Sequence, residues 1–332
     1  MITFSIIIPI YNRSEDLDVL LESLMKQTFP PESYELIIVD DGSTENIKGV
    51  VDKFLSKAKF GIRYFRQENQ GPGKARNTGM DLAENDVIVF IDSDCIIPAH
   101  YLSEVADAFS EMQMDAYGGP DTALETFSAW DKAVNYVMTS FFTTGGLRGA
   151  DGRTLARFYP RSFNMGFKKE IYKKIGGFGS IFQYGEDIEF SHRILKATSR
   201  VAFLPDAFVF HKRRSGINAF AKQIYKMGKA RVQLSRIDRK LLEPLYLLPA
   251  VGILLLASMI MGSIYFEPIR VLLIFSVIAG LLWLIFLTIH GLKKMHNTLA
   301  AALVPLAFSI QMFTYGGGMI SEWAKSLFNN RP

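Results

Sequence analysis

Charge all but disappears from the last 89 of the 332 residues, which hold five of the 37 Lys+Arg and two of the 33 Asp+Glu. Within that tail, Pro244 to Phe266 runs 23 residues without a charge between Glu243 and Glu267, and Val271 to Leu292 runs 22 more before Lys293 and Lys294. At about 1.5 Å per residue, either run crosses a hydrocarbon core of roughly 30 Å as a helix. The four-residue link Glu267 to Arg270 folds the pair into a hairpin. Asn297 to Ser321 is a third run. Gln311 and Gly316-Gly317-Gly318 lower its hydropathy, so it is expected to be tilted, re-entrant or packed on its neighbours. Buried helices of a large soluble protein are the competing explanation, yet three in succession would have almost no polar face to show to water. The expected spans are 244–266, 271–292 and 297–321, in a membrane region covering 244–332.

Basic residues set the orientation. Arg236, Arg239 and Lys240 precede the first run and Lys293 and Lys294 follow the second, which places these ends, and the amino-terminal part of the chain, on the cytosolic side of the cytoplasmic (inner) membrane. Phe4 to Ile10 is short, lacks a basic leader and reads as a buried strand rather than a secretory signal. From Lys212 to Lys240 ten Lys+Arg accompany a single acid, Asp238, with Ile217, Phe220, Ile224 and Met227 at helical spacing. Residues 216–243 therefore read as a basic amphipathic helix at the membrane surface, or as a solvated helix packing one face on the protein. The net charge of +4 is no nucleic-acid signature, and the single cysteine, Cys95, excludes an intrachain disulfide.

The first 120 residues alternate β-rich runs, Ser5 to Pro9, Glu35 to Val39, Ile62 to Phe65 and Val87 to Ile91, with amphipathic stretches, the pattern of an α/β fold on a mostly parallel sheet. Ser14 reads as the N-cap of the first helix. Each strand breaks into polar residues at its carboxyl end, where open α/β sheets bind ligands: Pro9-Ile10-Tyr11-Asn12, Asp40-Asp41-Gly42-Ser43 and Asp92-Ser93-Asp94. Two carboxylates on one tight turn suit Mg²⁺ or Mn²⁺, although turn-forming aspartates give the same triplet. Gly71 and Gly73, with Lys74 and Arg76, open a helix whose amides and cations suit a diphosphate.

In this order, Ile-Pro-Ile-Tyr-Asn, Val-Asp-Asp-Gly-Ser-Thr, Gly-Pro-Gly-Lys-Ala-Arg-Asn and Asp-Ser-Asp resemble the family-two glycosyltransferases of GT-A fold. The resemblance continues through Asn164-Met165-Gly166-Phe167, Gly176-Gly177-Phe178 and Gly185-Glu186-Asp187, covering residues 1–215. It implies a Rossmann-like catalytic domain and a nucleotide-diphosphate sugar donor, a UDP-sugar first. Tyr11, Asp40 and Arg76 would lie at the nucleoside, Asp94 and Asp92 at the metal, and Asp187 would be the catalytic base. Pro9, Asn12 and Asp41 join the expected donor site.

Glu186 is the rival base, and the pair could instead simply cap a helix from Ile188 to Leu195. His211 is expected either as a further metal or diphosphate ligand or as a structural histidine. Asn164 and the Gly176-Gly177 turn are expected on the acceptor side, where a glycine turn admits a substrate to the backbone. Phe178 could stack there on a sugar or could belong to the core.

The sequence thus points to an inverting, metal-dependent transferase moving one sugar to a hydroxyl of a membrane-held, lipid-linked glycan in cell-surface polysaccharide or glycoconjugate assembly. Its partners would be the nucleotide-sugar donor, this acceptor and membrane lipids, with no nucleic acid. A polyprenyl-phosphate sugar synthase is the enzymatic alternative, although Glu186-Asp187 supplies a base that reaction does not need. The processive synthases' Gln-x-x-Arg-Trp motif is missing, since none of Trp130, Trp283 and Trp323 follows an arginine. A non-catalytic membrane scaffold is the alternative outside enzymology.

Overall fold

Unbroken apolar runs make strands covered on both faces, and Phe4–Ile10 (β1) and Val87–Ile91 (β4) are buried along their whole length. The computed structural model describes residues 2–146, 158–179, 185–212 and 216–329. After β1 come α1 (Ser14–Leu24), β2 (Tyr34–Asp40), α2 (Ile47–Leu55), β3 (Gly61–Arg66), α3 (Pro72–Leu82) and β4. The chain continues through β5 (Cys95–Ile96), α4 (Tyr101–Glu111), β6 (Ala116–Gly118), β7 (Asp121–Thr122), α5 (Ala129–Thr139) and α6 (Phe141–Thr144). It returns through β8 (Asn164–Lys168), α7 (Lys169–Ile175), α8 (Glu186–Ala197), β9 (Val201–Phe203) and β10 (Val209–His211). Four long helices follow: α9 (Ile217–Ile237), α10 (Pro244–Gly262), α11 (Glu267–Met295) and α12 (Thr298–Asn329).

The main sheet has the order β3-β2-β1-β4-β8-β6-β9. β3, β2, β1 and β4 are parallel, while β8 runs antiparallel to both β4 and β6. Side chains alternate across it with the period of two that strands impose. Phe4, Ile6, Ile8 and Ile10 join Leu17, Leu20 and Leu24 of α1 and Val51 of α2 in one core, whereas Ile7, Ile37 and Val39 join Met80 of α3 and Phe190 of α8 in the other. A small second sheet, β5-β10-β7, pairs His211 with Cys95 and so carries the histidine to the segment after β4.

Ser14 is not the cap of α1. The helix begins at Ser14 with Arg13 in the N-cap position and no capping side chain, because the Ser14 N–H is taken by Glu45 Oε2 at 2.7 Å from the neighbouring loop.

The chain forms two compact units, one containing Met1–Thr122 and Phe158–Lys212, the other α5, α6 and α9 to α12. In the second unit α10, α11 and α12 are each long and apolar enough to cross a membrane. The hairpin link falls four residues earlier than expected, at residues 263–266, because Glu267 and Pro268 open α11. The third run is one continuous helix, and Gly316 and Gly318 are contact points, while Gly317 faces open space. A Cβ on Gly318 would lie 2.2 Å from the Tyr225 carbonyl oxygen, and one on Gly228 of α9 would lie 2.1 Å from that of Tyr315. Here α9 and α12 cross backbone to backbone.

That crossing changes the reading of 216–243. Phe220, Ile224 and Met227 pack with Val137 of α5 and Val304 and Ala307 of α12. Of the four residues expected at a membrane surface, only Ile217 is exposed. The apolar stripe is a helix-packing face inside the unit; Arg213 and Arg214 lie outside the described residues.

Candidate active site

The loops at the carboxyl ends of β1 and β2 brace each other. Asn12 sits at φ +51°, a left-handed turn that asparagine tolerates better than most residues. Its Oδ1 accepts from the Thr44 N–H at 2.7 Å, and its own N–H donates to Ser43 Oγ at 2.9 Å. Asp40 is buried, its carboxylate accepting from the Ser43 N–H at 2.8 Å and the Tyr64 hydroxyl at 2.7 Å. Asp41 is buried too, and accepts from the N–H groups of Gln70 (3.0 Å) and Gly71 (2.8 Å) and from Gln67 Nε2 (2.7 Å). Two amides of the glycine loop, those of Gln70 and Gly71, are thus engaged by Asp41. Gly71, at φ +90°, makes the turn into α3 that a side chain would strain. Lys74, in the first turn of α3, and Tyr11 are exposed, while Pro9 is a buried member of β1.

The acidic turn after β4 gathers the next group. Asp94 Oδ2 is 3.0 Å from Arg13 NH1 and its Oδ1 is 3.2 Å from His211 Nε2. Burial works to raise the Asp94 pKa, but the His211 and Arg13 partners prevail and hold it at about 2. Behind the imidazole, Nδ1 faces the buried Asp121 Oδ2 at 3.4 Å, the kind of backing that fixes the tautomer and orientation of a metal-binding histidine. Asp94, Cys95 and His211 bring an oxygen, a sulfur and a nitrogen within 4.8 Å of one another. Burial and the neighbouring carboxylates push the Cys95 thiol well above its ordinary pKa, so it packs as a neutral group. The remaining carboxylate and imidazole donors fit a divalent cation of the Mg²⁺ or Mn²⁺ kind.

Arg76 links this turn to the start of α8. Its guanidinium, 3% exposed, donates to Asp92 Oδ1 at 2.7 Å and faces Glu186 Oε1 at 3.5 Å. It also lies over the rings of Phe178 and Phe90, at 5.6 and 5.9 Å. Arg76 thus bridges the Asp92 and Glu186 carboxylates. Gly185, at φ +83°, is the N-cap of α8, and Glu186 and Asp187 occupy its first turn, so that the helix starts two residues earlier than Ile188. Burial pushes the Glu186 carboxyl up to about 7, the adjacent Asp187 adds to the rise, and Arg76 opposes it. Asp187 Oδ2 is 3.3 Å from Arg161 NH1, and Oδ1 accepts from the Ile188 N–H at 2.9 Å.

The acceptor-side expectations fare differently. Asn164 is completely buried: its Oδ1 accepts from the Tyr101 hydroxyl at 2.6 Å, and its Nδ2 donates to the carbonyls of Ala207 (2.8 Å) and Pro120 (3.1 Å). It joins strands and has no face left for a sugar. Phe178 is core, stacked on Phe190 with centroids 4.3 Å apart. Gly177 lets α3 approach, since a Cβ there would sit 2.5 Å from Asn77 Oδ1, and Asn77 exchanges hydrogen bonds with the Phe178 backbone. Gly176 stays open at φ +72°. Gly73 sits where a Cβ would meet Phe178 at 3.3 Å and Glu186 at 3.8 Å. Sequence reasoning missed Arg13, Asp121 and Arg161. Arg13 directly follows Tyr11-Asn12 and was findable by position; Asp121 and Arg161 carry no local signal.

Comparison with known proteins bears on the same elements. Residues 5–176 match Glycosyl transferase family 2, a span that starts in β1 and ends at the glycine turn before α8. The glycosyltransferase AglE of Haloferax volcanii is 26% identical over 71% of this chain and 75% of its own length. Staphylococcus aureus TarS, a poly(ribitol-phosphate) beta-N-acetylglucosaminyltransferase, is 36% identical over 35% of this chain but only 20% of its own. Among solved structures, the mannosyltransferase PcManGT of Pyrobaculum calidifontis, in complex with GDP-Man and Mn²⁺, shares the fold with a TM-score of 0.68 at 17% identity, covering 99% of this chain and 88% of that one. TarS 1–349 in complex with UDP-GlcNAc gives 0.53 at 19% identity, covering 97% and 92%. With a GT-A sheet, acids at its carboxyl edge and a match over more than half its length, the chain belongs to glycosyl transferase family 2.

Proposed function

We propose that this glycosyltransferase moves one sugar, with inversion, from a nucleotide-diphosphate sugar to a hydroxyl of a membrane-held, lipid-linked glycan. The observation that carries the reading is the ionic chain Asp92–Arg76–Glu186, which joins the acidic turn to the first turn of α8 and so unites the two halves of a displacement site. The partners named for PcManGT and TarS, GDP-Man with Mn²⁺ and UDP-GlcNAc, support a nucleotide-sugar donor and a divalent metal.

Asp94 and His211, with Asp92, would hold the cation, which when bound supplies positive charge against the diphosphate. Lys74, exposed at the start of α3, adds a cation that needs no proton transfer. Asp187 is the base. As the acceptor oxygen bonds to the anomeric carbon and the bond from that carbon to the diphosphate oxygen breaks, the hydroxyl proton passes to the Asp187 carboxylate. A single displacement of this kind inverts the anomeric centre. Arg161 orients Asp187, and Arg76 keeps Glu186 from swinging into the same role.

Three apolar helices and a cytosol-facing pattern of lysine and arginine favour a catalytic unit on the cytosolic side of the cytoplasmic membrane, next to its lipid-borne acceptor. A nucleotide-sugar panel on membranes containing the protein, scored for nucleotide diphosphate release with Mn²⁺, Mg²⁺ or EDTA, tests the proposal. Metal-dependent release with one donor, raised by a lipid-linked acceptor, is the expected result. Turnover on soluble acceptors alone would overturn the lipid-linked part.

A further inference from the structure

Between Lys132 and Arg148 the sequence runs fifteen residues, Ala133 to Leu147, without a charge, and none of them enters the transfer chemistry. The segment holds the end of α5 and the single turn α6, both in the same unit as the tail. Here α6 lies against α11. The Phe142 ring is 4.9 Å from the His290 imidazole, 5.0 Å from Phe286 and 6.3 Å from Trp283. One element back, the Tyr136 hydroxyl is 2.7 Å from His290 Nδ1.

Charge returns to α11 only at Lys293. Measured back along the helix at about 1.5 Å per residue, Phe286 and Trp283 lie roughly 10 and 15 Å inside that end. Any placement that puts α11 across hydrocarbon therefore puts Phe142 in it as well.

The polar groups of the segment are arranged accordingly. Thr139 Oγ1 donates to the Asn135 carbonyl at 2.8 Å, and Thr143 and Thr144 Oγ1 donate to the Ser140 carbonyl at 3.0 and 3.2 Å. Ser140 Oγ accepts from the Phe142 N–H at 3.3 Å. Hydroxyls returned to their own backbone are how such residues are tolerated where water is absent. The aromatic rings instead face outward: Phe142 is 38% exposed, beside Phe286 at 39% and Trp283 at 40%.

We propose that α6 and the last turn of α5 are embedded in the acyl chains of the leaflet that holds the Lys293–Lys294 end of α11, with lipid hydrocarbon covering the Phe142 face. The inference rests on reading α10 to α12 as membrane spans. It gives the catalytic unit a second covalent tether to the bilayer, because the chain leaves its sheets after Thr122, passes through the segment and re-enters at Asn164.

Bimane labelling of the full chain in phosphatidylcholine vesicles tests it. Native Cys95 is 1% exposed, so the wild-type background leaves the introduced thiol to react. Phe142→Cys is compared with Ile278→Cys on the exposed face of α11 and with Lys57→Cys on the catalytic unit, and Phe141→Cys serves if Phe142→Cys does not fold. Brominated acyl chains should remove most of the emission from the Phe142 and Ile278 labels while aqueous iodide leaves both unchanged, and the Lys57 label should behave in the opposite way. A Phe142 label quenched by iodide but not by brominated lipid, with Ile278 quenched by lipid, would overturn the proposal and leave the spans standing. An Ile278 label that ignores brominated lipid would sink the spans and the proposal with them.

Discussion

The two units of this protein are built inside out with respect to each other. In the catalytic unit the central strands β1 and β4 are wholly buried, and the acids after β4 are held, partly buried, in ion pairs. In the tail the apolar side chains are the surface: Phe275 is 65% and Leu282 61% exposed, with little of α10 or α11 covered. Among the described residues of the tail Glu322 is the one buried charge, while Glu267, Arg270, Lys293, Lys294 and Lys325 are exposed at or near the helix ends. Arg231 lies 3.8 Å over the Tyr246 ring, and the buried Glu322 faces Arg236 at 3.4 Å and Lys229 at 3.6 Å. The difference teaches that one chain has been fitted to two solvents. In water the sheet hides hydrocarbon and arranges charge for chemistry; in lipid the helices display hydrocarbon and must neutralise or hide whatever charge remains.

The contrast is broken most sharply by losing chemistry without losing fold. Asp94→Ala should lower nucleotide diphosphate release on the order of 10²–10³-fold, the usual cost of removing one group that stabilises transition-state charge, while circular dichroism and the detergent-solubilised yield stay unchanged. In the helical unit the comparable weak point is packing. Gly228→Leu drives a side chain at the Tyr315 carbonyl oxygen, and overpacking of this kind costs about 1–3 kcal/mol or more. Hydrogen exchange should rise in α9 and α12 and not in β1 to β4; a uniform rise would show that the units unfold as one.

Next in size is Asn164→Ala, which removes three buried hydrogen bonds; the Tyr101 hydroxyl keeps Tyr117 and the Pro120 carbonyl keeps the Val209 N–H, so the loss falls mainly on the Ala207 carbonyl, at about 1–3 kcal/mol. Denaturant midpoints should fall with KM for the acceptor unchanged. An effect of similar size is in pH. Because the folded Glu186 carboxyl titrates at about 7 against an ordinary 4.5, the folded state binds the extra proton between these values. Stability therefore falls as pH rises from 4.5 to 7, by at most about 3 kcal/mol. Glu186→Gln should flatten the thermal midpoint across that window; an unchanged slope would place the titration elsewhere.

Much of this was legible before any coordinate. Strands β1 and β4 announce themselves because Phe-Ser-Ile-Ile-Ile-Pro-Ile and Val-Ile-Val-Phe-Ile are almost wholly apolar, and the tail announces itself for the same reason over longer runs. What stayed hidden depended on partners distant in sequence. Asn164 is polar in an apolar strand, which signals that it matters but not that Tyr101, Pro120 and Ala207 enclose it. The stripe Phe220, Ile224, Met227 shows that α9 has a face to cover, while only packing shows that α5 and α12 cover it. Arg13 reaches an aspartate 81 positions on, and nothing local announces that contact.

The division of labour between the acidic turn and α8 is the centre of the account, and one paired measurement reaches it directly. Donor affinity in the presence of Mn²⁺ and single-turnover rate would be compared for Asp187→Asn, Glu186→Gln and the parent chain. Asp187→Asn should bind donor within about threefold of the parent and lose about 10²–10⁴ in rate, the span expected for removal of a general base, with Glu186→Gln less affected. Near-parental turnover in Asp187→Asn, together with abolished turnover in Glu186→Gln, would contradict it and move the base by one residue.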